Sequence, residues 1–270
     1  MGESYALLGL LGFMQVDEAY SNAMAASKHA IDLDDNVAEA HVGLGLAAMM
    51  RWNWAVAKAE LQRAIQLNPN LASARREYAV YLANNGKLSD ALAEAKTTLE
   101  LDPLSLLPHV ALSLVYFFSR DYDKALEQAV KAVKLNPNSP IPHHLLFHIY
   151  MARKMYDQAV LELVKAFRAE GRDEDASTIE QGYRRAGYKG MLLARIQVSK
   201  NPAGKRYAPS DVAASYVMLG DKDQAFEWLN KAYQARSNLG FLKVDPIFDP
   251  IRSDPRYADL LRRMGLPQPE

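Results

Sequence analysis

Three histidines in the middle of the chain are the side chains whose spacing most readily suggests chemistry. His144 and His148 lie four residues apart, so on a helix both rings project from one face, a spacing that can supply two metal ligands. No carboxylate stands at a matching spacing on that stretch, and His143 occupies a position that recurs as His41 and His109. We therefore expect polar residues of a binding surface here, with no metal and no cofactor.

Sequence signatures of catalysis are missing. Gly204-Lys205 lacks the upstream glycine of a phosphate-binding loop, and the zinc-protease, nucleophile-elbow and dinucleotide-binding motifs do not occur. The acidic run Asp173-Glu174-Asp175 stands at a predicted helix start, where carboxylates complement the helix dipole. The sequence therefore predicts a protein that is not an enzyme.

Composition excludes several further classes of function. Lys and Arg together number 32, as do Asp and Glu, and no long run of like charge occurs, which argues against direct binding of nucleic acid or of an acidic membrane surface. No apolar run is long enough to span a membrane, so no membrane insertion is expected. The absence of cysteine excludes disulfides and thiolate sites but fits cytoplasm and periplasm equally.

The elements that must position these residues follow a repeat of 34 residues. Pro69, Pro103 and Pro137 are spaced by that interval, and Asp35 takes the equivalent place one step earlier. Each proline lacks the amide hydrogen that a continuing helix needs, so a helix ends there. Within a repeat the helical pattern breaks once, as at Asn84-Asn85-Gly86-Lys87, where turn-forming residues stand. Each repeat is thus predicted to be a helical hairpin.

Small residues recur in register within these hairpins. Alanine at such positions allows two helices to approach closely, where a larger side chain would overpack the interface. One such slot reads Ala23, Ala57, Ala91, Ala125 and Ala159.

The repeats resemble the tetratricopeptide repeat family from Ser4 to about Gly171. The resemblance implies an all-α fold, a right-handed superhelical solenoid of antiparallel helix pairs with a C-terminal capping helix. It also implies a non-catalytic scaffold for protein–protein interaction. His41, His109 and His143 depart from the consensus tryptophan at their position. The matches in the second repeat are Leu44, Gly45, Ala57, Leu61, Ala64 and Pro69.

Four regions are predicted along the chain. Residues 1–171 form five hairpins, residues 172–205 a degenerate helical hairpin and loop, residues 206–240 a sixth hairpin, and residues 241–270 a cap rich in Asp-Pro pairs. Asp245, Asp249 and Asp254 each precede a proline, the order of an N-cap and a first helical residue. The last pair is expected to start a helix that covers an apolar end of the solenoid.

The stretch from Leu242 to Arg256 and the turn Trp52-Asn53-Trp54 resemble repeat segments of bacterial signalling proteins. In that group the repeats follow winged-helix, nucleotide-cyclase or Ser/Thr kinase domains, often with a TolB-like region between. The resemblance implies a segment of a larger bacterial regulator in the cytoplasm or periplasm. The first repeat begins almost at Met1, so we expect either a fragment or a first hairpin that finds a partner.

In the family, the first helices of successive hairpins line a concave groove. Here that groove is mostly apolar and suits an amphipathic helix or an extended peptide. Packing of the same residues against the chain's own C-terminal portion is equally compatible with the pattern. The sequence is also compatible with an enzyme's substrate-holding arm, with a metal-binding protein that uses the histidine-bearing repeats, and with self-association through the first repeat. The predicted groove residues are Val42, Leu46, Met49, Arg76, Val80, Asn84, Val110, Leu114, Phe117, Phe118, His144 and His148.

Overall fold

The computed structural model describes residues 1–10, 13–200, 208–237 and 239–266, and every regular element in these ranges is a helix. Residues 201–205, part of the degenerate hairpin and loop predicted over residues 172–205, lie outside the described residues. The α-helices are α1 (Gly2–Leu10), α2 (Val16–Leu33), α3 (Ala38–Met50), α4 (Trp54–Leu67), α5 (Ala72–Asn84), α6 (Leu88–Leu101), α7 (Leu106–Phe118), α8 (Tyr122–Leu135), α9 (Pro140–Ala152), α10 (Tyr156–Ala169), α11 (Asp173–Ser199), α12 (Pro209–Leu219), α13 (Lys222–Gln234) and α14 (Pro255–Arg263); a 3₁₀ helix spans Pro246–Ile251.

The helices form two compact units. Unit 1 contains Met1–Pro103, Asn230–Val244 and the stretch that begins at Asp254, whereas unit 2 contains Leu104–Leu229 and Asp245–Ser253. In unit 1 the pairs α1/α2, α3/α4 and α5/α6 pack in succession, and in unit 2 the pairs α7/α8 and α9/α10 are followed by α11 and α12. The prediction of an all-α array of helix pairs is confirmed.

The recurring alanines lie where paired helices meet. Helices α3 and α4 also approach closely at Gly45, where an added Cβ would stand 2.7 Å from Cγ of Leu61 on the facing helix. Fully buried alanine therefore marks the register of the hairpins, as the sequence pattern indicates. The residues with 0% exposure in this slot are Ala23, Ala57, Ala91, Ala125 and Ala159.

Each of four hairpins turns at a residue with a left-handed backbone. The φ values are 56° at Trp52, 81° at Gly86, 64° at Arg120 and 58° at Lys154, all in one slot of the repeat. Glycine adopts this conformation freely, but another residue there costs about 1 kcal/mol or more. Three of the four hairpins therefore hold a strained turn residue.

Helix α11, in the region predicted as a degenerate hairpin, is interrupted at Ala186 and Gly187. Ala186 and Gly187 have non-helical dihedrals inside α11, with φ of 59° at Gly187. The two halves of α11 approach closely, because an added Cβ on Gly190 would stand 2.0 Å from the carbonyl oxygen of Gly182. The region after the fifth hairpin is thus a helical pair with glycine at its contact.

Two of the three Asp-Pro pairs cap a helix. The Asp245 carboxylate accepts from the backbone N–H of Ile247 at 2.9 Å, and the Asp254 carboxylate accepts from that of Arg256 at 3.0 Å. Asp249 lies inside the 3₁₀ helix and forms an ion pair with Arg120 instead. The sequence pattern thus locates the starts of the 3₁₀ helix and of α14.

Candidate functional site

In unit 1 the predicted groove residues are largely covered. Arg76 and Val80 are partly exposed. The buried members are Val42 and Leu46 at 0% exposure, Met49 at 4% and Asn84 at 5%.

In unit 2 the predicted groove residues divide in a similar way. Phe117 and Phe118 are both 2% exposed, and their rings contact each other with centroids 5.7 Å apart. The partly exposed members are Val110, Leu114, His144 and His148, although the Nδ1 atom of the His148 ring is itself buried.

The C-terminal part of unit 1 packs on the turns of the second and third hairpins. The ring of Tyr233 stacks on Trp52 with centroids 5.0 Å apart, and the Arg236 guanidinium lies 4.3 Å from the Trp52 centroid. At the next turn, Lys243 donates to the backbone oxygen of Asn85 at 3.4 Å. Both turns are therefore held by residues that follow them by more than a hundred positions in the chain.

The same stretch lies against a predicted groove residue. An added Cβ on Gly240 would stand 3.1 Å from the amide nitrogen of Asn84, so the backbone of Gly240 passes directly over this side chain. Asn84 is buried, and no partner for its amide oxygen is found among the described residues. One of the predicted groove residues in unit 1, Asn84, is thus covered by the protein's own backbone at Gly240.

In unit 2 the segment Asp245–Ser253 is held at the turn of the fourth hairpin. The Arg120 guanidinium donates to both carboxylate oxygens of Asp249, at 2.9 and 3.1 Å, and Arg252 donates to the same carboxylate at 2.6 Å. Burial raises the pKa of Asp245 to about 6, although Ile247 and both arginines oppose the shift. Arg120, at the turn of the fourth hairpin, therefore also holds the segment Asp245–Ser253 of unit 2 in place.

The one arginine predicted in the groove is occupied by carboxylates. Arg76 donates to Glu3 and to Glu77, each at 2.7 Å. Burial raises the pKa of Glu77, and the charge of Arg76 opposes the rise. Because both carboxylates already pair with Arg76, its guanidinium stabilises the fold of unit 1. It has little hydrogen-bonding capacity left for an anionic ligand.

The histidines predicted in the groove of unit 2 have separate environments. His144 pairs through Nε2 with the carboxylate of Glu170 at 2.8 Å. His148 lies against Phe117 and Phe147, with centroid distances of 6.5 and 5.0 Å, and its Nδ1 has no partner among the described residues. Burial, assisted by Arg195, lowers the pKa of His148 to about 3. Within the described ranges, no three His, Cys, Asp or Glu residues are arranged to hold a metal ion.

Sequence reasoning missed a cross-link between the two helices of a hairpin. In four hairpins, the residue at the repeat position of His41, His109 and His143 pairs with a residue 19 positions later. Both members recur at the 34-residue period, so a search for paired polar slots could have found it. The pairs are His41–Glu60 at 2.7 Å, Arg75–Glu94 at 2.9 Å, His109–Gln128 at 2.9 Å and His143–Glu162 at 2.5 Å.

Three of these residues also bind the joint before their hairpin, the place held by Asp35, Pro69 and Pro137 in the 34-residue repeat. Nε2 of His41 contacts the Asp35 carbonyl at 3.0 Å, Nε of Arg75 donates to the Pro69 carbonyl at 2.7 Å, and Nε2 of His143 contacts the Pro137 carbonyl at 3.1 Å. A side chain with two hydrogen-bonding nitrogens thus connects the two helices of its hairpin and the preceding joint. It stands at the position where the repeat consensus has tryptophan.

None of the described helices combines the length and the apolar character needed to cross a membrane.

Solved structures show the same fold at low sequence identity. The human IFIT1 dimer with m7Gppp-AAAA gives a TM-score of 0.62 at 17% identity, covering 91% of this chain and 60% of that one. The Cut9–Hcn1 hetero-tetramer of APC/C gives 0.61 at 16% identity, with coverage of 96% and 48%. PilW, a type IV pilus biogenesis factor, gives 0.52 at 14% identity, with coverage of 86% and 91%. These likenesses concern the fold alone.

Sequence comparison gives a more local result. No curated protein matches the sequence. Two tetratricopeptide repeat models match, one at residues 38–71 and the other at residues 109–139. The first match spans α3 and α4 with the following joint, and the second spans most of α7 and α8. The chain therefore contains tetratricopeptide repeats at these two places, within an array of successive helix pairs.

Proposed function

We propose that this protein is a non-catalytic scaffold that binds a polypeptide segment on the face of its predicted groove. Proteins built from tetratricopeptide repeats are generally protein-interaction scaffolds. The observation that best supports peptide binding here is that unit 1 already accommodates a stretch of polypeptide, since the backbone of Gly240 lies against Asn84. A role within a larger bacterial regulatory or signalling protein remains a prediction from the sequence resemblance.

The partly exposed groove residues are the natural contact points for a partner. Val80 in unit 1 and Leu114 in unit 2 are apolar and accessible, whereas Phe117 is 2% exposed and a charge there would disturb folding. A partner that covers Leu114 would remove apolar surface from water, at about 25 cal/mol per Å².

Site-specific photo-crosslinking tests this proposal. Benzoylphenylalanine at position 80 or 114 is expected to crosslink to one protein partner in cells of the source organism. The same group at Leu193, which is 56% exposed on α11, is the control and should give no such product. The substitution Val110→Glu, one turn before Leu114 on α7, should reduce crosslinking from position 114 without loss of helicity. Crosslinks from Leu193 alone would contradict the assigned face.

A further inference from the structure

The last helix of unit 1 has the pattern of a helix that binds in a groove. Its buried side chains fall at positions i, i+3, i+4 and i+7, so they form one stripe. The opposite face carries arginines, with the Arg262 side chain 74% exposed. The buried residues are Tyr257 and Leu261 at 0% exposure, Met264 at 1% and Leu260 at 2%.

Unit 1 recognises the C-terminal end of this helix through Trp54. The indole Nε1–H donates to the backbone oxygen of Met264 at 2.7 Å in a buried position. The last carbonyls of a helix have no hydrogen-bond partner within the helix, so the Trp54 indole N–H binds a group that only a helix end presents. Gly265 follows with φ of 66°, and an added Cβ there would stand 3.5 Å from Cδ1 of Trp54. Trp54 therefore fits a helix that ends in a left-handed glycine.

The rest of α14 is held by polar contacts from unit 1. The Tyr257 hydroxyl donates to the Leu242 carbonyl at 2.7 Å in a buried position. Arg263 donates to Asn230 at 2.9 Å, and its guanidinium lies 4.1 Å from the centroid of the Tyr233 ring. The residues that receive α14 thus define its register at both ends, and we name Trp54, Asn230, Tyr233 and Leu242 the helix-receiving site.

We propose that the helix-receiving site binds an amphipathic helix of a protein partner and that α14 is its resident, replaceable ligand. This inference rests on the proposed function and names the class of partner. The partner helix presents an aromatic residue, aliphatic side chains three, four and seven positions later, and a glycine after its last turn. It takes the place of α14 against Trp54.

The length of α14 favours replacement. A helix of nine residues is too short to be stable by itself in water, so α14 depends on the site that receives it. Because it is tethered, α14 competes with a partner at an effective concentration on the order of millimolar. A partner must therefore offer better contacts than α14, and weakening of α14 should open the site to a helix added in trans.

A peptide with the sequence of α14 provides a defined probe. We label a peptide of residues Asp254–Leu266 with fluorescein and follow its anisotropy with the full-length chain. Relative to wild type, a loosened chain carrying Leu260→Ala and Leu261→Ala should bind at least about tenfold more tightly, because its own helix has lost two anchors. Adding Trp54→Phe to the loosened chain should weaken binding about fivefold, the effect of one hydrogen bond.

Two controls separate the site from general destabilisation. A chain with Leu161→Ala and Leu193→Ala loses the same atoms from exposed positions of unit 2 and should bind like wild type. A peptide carrying Leu261→Asp should not bind the loosened chain. A folded loosened chain that ignores the peptide overturns the proposal, and so does binding that Trp54→Phe leaves unchanged.

Circular dichroism establishes that the hairpins of the loosened chain are folded. If they are not, Gly265→Ala replaces the double substitution, because it strains only the left-handed end of α14. If that chain also fails to fold, α14 is an obligatory part of unit 1 and the proposal is wrong. Crosslinking from Leu114 without peptide binding would retain the proposed function and remove only the helix-receiving site.

Discussion

His143 and His148 lie on one helix, and their surroundings act on their pKa values in opposite directions. The hydrogen bond to Glu162 raises the pKa of His143 above its usual 6.5, against an opposing contribution from burial. Burial lowers the pKa of His148 to about 3. Both ring nitrogens of His143 face oxygen acceptors, an arrangement that only the imidazolium satisfies with two donors.

The first prediction follows from the His143–Glu162 pair. Burial opposes ionisation of Glu162, but His143 and Lys165 outweigh it and lower the pKa below 4.5. The pair therefore stabilises the fold most between about pH 4.5 and 6.5, and its contribution falls as rising pH deprotonates His143 and as falling pH protonates Glu162. Glu162→Gln should cost about 1 to 2 kcal/mol in free energy of unfolding near pH 6, and less at pH 8.5.

The third hairpin supplies the control for this pH dependence. Arg75 replaces histidine there and pairs with Glu94 at 2.9 Å. Because arginine stays protonated, the effect of Glu94→Gln on urea unfolding should be the same at pH 6 and pH 8.5. A difference between wild type and Glu162→Gln that does not change over this range would contradict the assignment of His143.

NMR gives a second prediction at the scale of single residues. At pH 5.5 the imidazole of His143 should be charged and that of His148 neutral, as ¹⁵N chemical shifts report. Burial penalises the imidazolium of His148, and the nearby Arg195 guanidinium adds to the penalty. A charged His148 at this pH would mean that its ring is open to water.

Among the elements, the turns of the hairpins combine strain with a binding role. Lys154 has φ of 58° and an exposed side chain, so Lys154→Gly should relieve the backbone and raise stability by up to about 1 kcal/mol. Arg120 has the same conformation but pairs with Asp249, so Arg120→Gly gains the relief and loses the pair. Thermal unfolding should show a higher melting temperature for Lys154→Gly than for Arg120→Gly. Equal changes in melting temperature would mean that the contact between Arg120 and Asp249 does not stabilise the fold.

The register of the helices gives another prediction at this scale. Ala125 is 0% exposed, and its carbonyl oxygen accepts from the Ser113 hydroxyl of the facing helix at 2.6 Å. Ala125→Leu should therefore overpack the α7/α8 contact and cost about 1 to 3 kcal/mol in unfolding free energy. Ala93→Leu, on the exposed face of α6, should change stability little. Similar melting temperatures for the two variants would place Ala125 outside the helix contact.

At the scale of the whole molecule, the sequence could reveal the contacts that recur with the repeat. It could not reveal contacts between residues far apart in the chain. The period of alanine and proline predicted the hairpins, because each repeat buries the same slots against its own neighbours. The burial of Phe117 and the link between Trp54 and Met264 could not be predicted. The latter joins residues 210 positions apart and leaves no periodic signal. Half of the predicted groove residues are buried, whereas Leu114 and Val80 remain accessible.

The last prediction concerns α14, which belongs to unit 1 but follows unit 2 in the sequence. A chain that stops at Ser253 lacks α14, so Trp54 loses its acceptor and Tyr257, Leu261 and Met264 no longer bury apolar surface. Each buried side chain of this kind is worth about 1.5 to 3 kcal/mol, so amides of α3 and α4 should exchange with deuterium more than about tenfold faster.

The amides of α9 and α10, in unit 2, should keep their protection in the chain that stops at Ser253. Arg262→Ala, on the exposed face of α14, is the matched substitution and should leave exchange in both units unchanged. Faster exchange throughout both units would show that they open as one cooperative body. Unchanged exchange in α3 and α4 would show that α14 contributes nothing to the stability of unit 1, and would also remove the reason to regard it as the ligand of that unit.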